Sequence, residues 1–141
     1  MNKTNMKKKN REQKLIEQYP DLFPENFVIQ CNEGWLELIR LVCIYFQGLL
    51  DNTNDIKKIK FFQIKEKFGY LRIYFDYSPK NKNLYNILHE FIWTIEQVSG
   101  LVCEDCGKIK NKNFDVQTKA VEGIRIRTLC KKCFQNAKDS E

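Results

Sequence analysis

The sequence predicts an α+β fold: two amphipathic helices packed on a β-hairpin, followed by a small four-cysteine zinc ribbon. Three observations carry the prediction. Apolar residues recur with helical spacing over residues 35–50 and 84–98. Between those stretches, residues 56–77 alternate with strand period around Phe68-Gly69-Tyr70. Near the C-terminus stand two Cys-x-x-Cys pairs, Cys103/Cys106 and Cys130/Cys133.

Composition bounds the rest. A chain of 141 residues with 43% hydrophobic and 13% aromatic content can bury the core of one domain plus a small metal module. The longest apolar run, residues 41–46, is far too short to cross a bilayer. The lysine-bearing N-terminus lacks the apolar stretch of a signal peptide. With four of six cysteines in metal spacing, this points to a reducing cytoplasm and away from membranes. The net charge of +6 is unevenly placed. Residues 1–14 hold six basic side chains (Lys3, Lys7, Lys8, Lys9, Arg11, Lys14) and one acid, Glu12, so the remainder is nearly neutral. The chain therefore divides into a basic, disordered tail (1–14), an α+β body (15–100) and a zinc module (101–136). No linker separates the last two, so the module is expected to pack on the body.

Each element follows in order. Residues 11–18 read as a short helix ended by the Tyr19-Pro20 step. Residues 20–29 read as an extended connector with buried aromatics. Trp35, Leu38, Ile39, Val42, Cys43, Phe46, Leu49 and Leu50 form one helical face, closed by Gly48 and the Asp51–Asn54 run. In the hairpin, Ile59, Phe61, Phe62 and Ile64 build the first strand, and Leu71, Ile73, Phe75 and Tyr77 the second. Lysines 57, 58, 60, 65 and 67 flank the first strand. They suit either a solvated, aggregation-resistant edge or a phosphate- or partner-contacting surface. After Ser78-Pro79, the residues Leu84, Ile87, Leu88, Phe91, Ile92, Ile95 and Val98 predict a helix with a core-facing stripe, ended at Ser99-Gly100. Residues 114–119 and 120–128 read as two short strands with Val121, Ile124, Ile126 and Leu129 as apolar contacts. Residues 131–137 read as a terminal helical turn.

The cysteine pairs carry the one strong chemical signal. Two residues between ligands let a single backbone knuckle aim both sulfurs at one metal, and Gly107 suits the tight turn after Cys106. The 23 residues between the pairs are enough for a hairpin out and back. Disulfides or free thiols are the weaker reading. Four thiolates leave no open coordination position, which makes the expected zinc structural. Cys31 and Cys43 read as small core residues.

The order of these motifs resembles a widespread family of small zinc-ribbon proteins of phages, prophages and bacteria. Its pattern is Cys-x-x-Gly-Trp at a helix start, a Lys-Glu-Lys-Phe-Gly-Gly-Leu-Arg-Phe-Tyr hairpin, a helix ending in Ser, Cys-x-x-Cys-Gly, and Thr-Leu-Cys-x-x-Cys. Here these read CNEGW (31–35), KEKFGYLRIYF (65–75), Ser99, CEDCG (103–107) and TLCKKC (128–133), within residues 24–135. Tyr70 departs from the family's second glycine. The resemblance implies fold, zinc and a mobile-element origin, and carries over no catalytic residue. Small phage proteins of this kind often neutralise host defences, CRISPR effectors included, which implies a host protein or ribonucleoprotein partner.

Function is less legible. The single histidine, His89, lies beside an apolar stripe, and no nucleophile elbow, P-loop or dinucleotide fingerprint is present, so a non-enzymatic protein is expected. The candidate contact residues on the hairpin are Lys65, Lys67, Tyr70 and Arg72, and on the module Arg125, Arg127, Lys131 and Lys132. Within the hairpin motif, Glu66 could instead pair with Arg72 or a lysine and set register. Three readings stay open: an accessory protein that binds a host complex, a direct nucleic-acid binder using tail and ribbon (residues 101–136 hold eight basic and four acidic side chains), and a Mg²⁺-dependent nuclease built on Glu33, Glu37 and Asp76.

Overall fold

The computed structural model describes residues 3–54, 56, 58–78, 82–121 and 125–139. Lys57, Pro79 and Ile124, which figure in the expectations above, lie outside the described residues. The fold mixes helix and strand: α1 (Lys3–Gln18), a 3-10 turn (Glu33–Trp35), α2 (Leu36–Asn52), β1 (Lys58–Lys67), β2 (Tyr70–Ser78), α3 (Lys82–Ser99), β3 (Val116–Val121), β4 (Arg125–Cys130) and α4 (Lys131–Asp139). The strands form two separate antiparallel hairpins, β1–β2 and β3–β4. Among the described residues, no helix is long and apolar enough to cross a membrane.

The basic N-terminal segment is helical from Lys3, continuous with the short helix predicted at 11–18. Anchors at its C-terminal half explain this. Leu15 is buried, Glu12 Oε1 accepts the Ile29 N–H at 2.6 Å, and Arg11 reaches Glu33 at 3.5 Å. Once those residues are fixed in helical geometry, extending the helix upstream needs no second nucleus.

Trp35, Ile39, Val42, Cys43 and Phe46 of the α2 segment are fully buried, as the helical spacing requires. They meet Ile59, Phe61 and Ile64 of β1 and Leu71, Ile73 and Phe75 of β2 in one core. Burial pushes the Cys43 thiol up to about 12, so it packs as an inert small residue. From α3 the core takes Leu88, Ile92 and Ile95. Ile87 is an exception to the predicted stripe: it stands half exposed on the helix flank.

A two-stranded hairpin has two open edges, and both are closed by non-strand partners. On the β1 side, Leu22 O accepts the Phe61 N–H, and Gln30 forms a one-residue parallel bridge with Lys65, its N–H donating to Ile64 O and its carbonyl accepting the Glu66 N–H. On the β2 side, α3 supplies side chains instead of a strand. Ser99 Oγ accepts the Leu71 N–H at 2.9 Å, and Glu96 Oε2 accepts the Ile73 N–H at 3.0 Å.

The hairpin turn is Phe68-Gly69, both at positive φ (53° and 81°), the signature of a two-residue type I′ turn. Tyr70 therefore begins β2, outside the turn, and a glycine there is not needed for turn geometry. A β-bulge interrupts β1 between Phe61 and Gln63. It lets Phe61 and Ile64 both face the core, and it leaves Phe62 outside, 65% exposed.

Candidate metal centre and its docking onto the body

Four cysteines meet at the C-terminal end of the molecule. The Sγ atoms of Cys103, Cys106, Cys130 and Cys133 lie within 4.8 Å of one another, and Cys106 and Cys130 are 3.9 Å apart. Thiolates bonded to one tetrahedral zinc at about 2.3 Å would sit roughly 3.8 Å apart. The cluster therefore has metal-site dimensions, while the Cys106–Cys130 separation is far too long for the roughly 2 Å sulfur–sulfur bond of a disulfide.

Local structure aims each sulfur. Cys103 and Cys106 flank a knuckle in which the Gly107 N–H returns to the Cys103 carbonyl at 2.9 Å, with Gly107 at φ +78°. The second pair arises differently. The β3–β4 register sets Val116 opposite Cys130, so β4 runs through the ligand itself and past the strand end predicted at residue 128. Helix α4 starts at the next residue and carries Cys133 round one turn, with its N–H 3.5 Å from Cys130 Sγ.

The thiols are not equivalent. At Cys130, burial works to raise the thiol, but the Cys133 N–H and neighbouring thiols outweigh it and hold it below its ordinary value. Cys106 and Cys133 are raised, first by burial and then by the other sulfurs. A cluster of this kind holds its charge together only when a cation replaces the protons.

The knuckle docks onto the body through the residues of the Cys-x-x-Gly-Trp segment. The Gly34 N–H donates to Glu104 O at 2.9 Å, Trp35 Nε1 donates to Val102 O at 2.9 Å, and Asn32 Nδ2 donates to Asp105 Oδ1 at 2.7 Å. A Cβ at position 34 would lie 2.5 Å from the Glu104 carbonyl carbon and closer still to Cys103 O, so only glycine fits.

A second seam joins the hairpin tip to the β3–β4 sheet. Thr128 Oγ1 donates to Gly69 O at 2.5 Å and shares a 2.6 Å hydrogen bond with Thr118 Oγ1. Gly69 lies so close that a Cβ would fall 2.7 Å from Thr118 Cγ2. Glu66 pairs with Arg125 of β4 at 3.5 Å, not with Arg72 or a lysine across its own hairpin. Arg72 turns to Glu96 at 3.9 Å, and Tyr70 packs against Gly100.

Between the two seams lies a buried ion pair. Arg127 binds Glu104 Oε1 and, at 2.5 Å, Asp105 Oδ1. Glu104 is 1% exposed and its Oε2 has no hydrogen-bond partner. Burial pushes its carboxyl up, and Arg127 pulls against that. The same carboxylates raise the guanidinium and outweigh its own burial.

The predicted contact residues thus separate. Arg127 is committed inward, to Glu104 and Asp105. Tyr70, Arg72 and Arg125 have internal partners. Lys65 lies over the Tyr74 ring and exposed Lys67 over Phe68, at 5.7 and 5.9 Å to the ring centres. Lys131 and Lys132 are exposed at the start of α4. Glu33, Glu37 and Asp76 are not gathered: Glu33 pairs with Arg11, Glu37 with Arg40, and Asp76 accepts the Tyr77 N–H. His89 is exposed and rests against Tyr85 and Phe75. Sequence reasoning missed the exposed ring of Phe62, whose cue was one residue too many between Phe61 and Ile64 for strict alternation. It also missed Glu104 and Asp105, which are indistinguishable in sequence from surface acids.

A scan against family models, a search among curated proteins and a search among solved structures each return no match to this chain.

Proposed function

We propose that this protein is a non-enzymatic, zinc-binding accessory protein that binds and modulates a host protein or nucleoprotein complex, as the resemblance to phage-associated zinc-ribbon proteins implies. One observation carries the reading. Residues of the shared motifs are spent on holding the cysteine module to the body: Gly34 and Trp35 under the knuckle, Gly69 and Glu66 on β3–β4. Such motifs build a rigid scaffold, and a scaffold serves recognition. Zinc is the metal of choice for four converging thiolates, and with all four positions filled its role is structural. In this reading the whole of residues 15–136 acts as one two-hairpin ribbon fold in the host cytoplasm.

A tagged pull-down from bacterial cells, with and without nuclease, tests the proposal. A stoichiometric protein that survives nuclease is expected. A preparation that retains no host protein under either condition would sink it. Elemental analysis should find one zinc per chain.

A further inference from the structure

We propose that the outer face of the β1–β2 hairpin is a platform for single-stranded nucleic acid, with a base stacking on the Phe62–Tyr74 pair and phosphates on the flanking lysines. The proposal deepens the accessory-protein reading and rests on it for a nucleoprotein partner.

The bulge in β1 is the starting point. Strict alternation would put either Phe61 or Ile64 outside, and the extra residue keeps both in the core. The consequence is a large aromatic side chain displayed to solvent on a strand, 65% exposed, where a polar residue would cost nothing in folding. Phe62 does not stand alone. Its ring lies 5.6 Å from that of Tyr74, the residue β2 places opposite Gln63, and Lys65 sits over Tyr74 at 5.7 Å. Along the same strand face come exposed Lys58 and Lys67 and half-buried Lys60 and Lys65, with Lys60 Nζ donating to Pro20 O at 3.4 Å. Among the described residues the one acid on this face, Asp76, stands opposite Lys60 and has an oxygen occupied by the Tyr77 N–H.

An exposed aromatic ring beside a half-buried one, bordered by lysines on a sheet surface, matches the two demands of a single strand. Unpaired bases offer π-faces that stack on any aromatic ring, and the backbone carries one charge per nucleotide. A duplex hides its bases and would gain only the phosphate contacts. An apolar protein partner would leave four lysines against its surface. The ribbon is a poorer candidate for this role, because Arg127 and Arg125 are bound to acids and Lys110 to Asp115.

The test uses the full zinc-loaded chain and fluorescence anisotropy with a labelled oligothymidylate of about 15 nucleotides and a duplex of equal length. Binding is expected for the single strand and weaker binding for the duplex. Phe62→Leu should weaken the single-strand complex by about tenfold, while Phe62→Tyr, which keeps a ring, should restore it. Replacing Lys58 and Lys65 together by glutamine should flatten the plot of log affinity against log salt by about 1.4, the loss of two phosphate contacts. Zinc content and melting temperature, unchanged in all three, show that the fold is intact. No binding at low salt, or binding that Phe62→Leu leaves alone, overturns the proposal. So does binding abolished by Lys131→Gln/Lys132→Gln but not by Phe62→Leu, which would place the strand on α4. A host protein retained equally by wild type and Phe62→Leu, without oligonucleotide binding, also overturns it and leaves the accessory-protein reading standing. A host protein lost with Phe62→Leu, again without oligonucleotide binding, makes the face a protein-binding site and refutes the nucleic-acid assignment.

Discussion

Gly34 and Glu104 are 70 residues apart in sequence, and the N–H of the first donates to the carbonyl of the second at 2.9 Å. That hydrogen bond joins the start of α2 to the Cys103–Cys106 knuckle. It forms only because nothing but a hydrogen atom occupies the Cβ direction of residue 34.

Gly34→Ala should therefore pry the knuckle from the body. The backbone of Cys103 and Glu104 has no flexible side chain to move aside, so the cost should be at the upper end of overpacking penalties, about 3 kcal/mol. Urea denaturation of the zinc-loaded protein measures it. A variant within experimental error of wild type would show that the knuckle can shift freely.

Cys103→Ser or Cys130→Ser should abolish stoichiometric zinc and unfold the β3–β4 module, since metal-binding energy is folding energy in small modules. The seams at Gly34 and Gly69 carry the damage inward. Hydrogen exchange should quicken not only at residues 116–130 but also at the hairpin tip around Gly69. Loss of zinc with undiminished protection would show the metal to be dispensable.

Arg127→Ala should destabilise by about 3–5 kcal/mol, the cost of leaving a buried carboxylate without its cation. Arg127→Ala combined with Glu104→Gln should recover part of that loss, because no unpaired charge then remains inside. Equal stability of the single and double variants would show that Glu104 is not held as a charged partner.

Ser99→Ala should cost about 1–3 kcal/mol, because Ser99 is fully buried and the Leu71 N–H would lose its acceptor at a closed sheet edge. Thermal denaturation suffices, and Ser99→Thr, which keeps the hydroxyl, serves as the comparison.

Glu96 supplies a pH signature. Burial raises its carboxyl above the ordinary 4.5, against the pull of the Ile73 N–H and Arg72. A raised folded-state value means the native state holds the proton more tightly than the unfolded chain. That stabilisation is full below about 4.5 and is lost as pH climbs through the raised value. Glu96→Gln cannot titrate, so the stability of wild type minus that of Glu96→Gln should fall over this window. Taking the difference cancels the proton dependence of the cysteine site. A flat difference would mean that the carboxyl titrates normally.

Much of the architecture was legible in the sequence because it is local. Periodicities of 3.6 and 2 located α2, α3 and the β1–β2 hairpin, since burial on one face needs apolar residues at those intervals. The Cys-x-x-Cys spacing located the four-sulfur cluster, because a knuckle is a local turn. Less local features escaped. Helix α1 extends to Lys3 through anchors at Ile29 and Glu33, which composition alone does not reveal. Strand β4 overran its predicted end because pairing with β3 carries it through Cys130.

By itself, then, the sequence located α2, α3, the first hairpin and the four cysteine side chains that cluster. These depend on short-range geometry that a few neighbouring residues dictate. Only the tertiary structure decided what the charged and glycine positions do. Arg127 could not be told from Lys132, nor Glu66 from Glu37, until the knuckle met residues 32–35 and the hairpin tip met Thr118 and Thr128. The assignment of a charge to a buried pair or to solvent is a property of the partner across the seam, and that partner lies dozens of residues away.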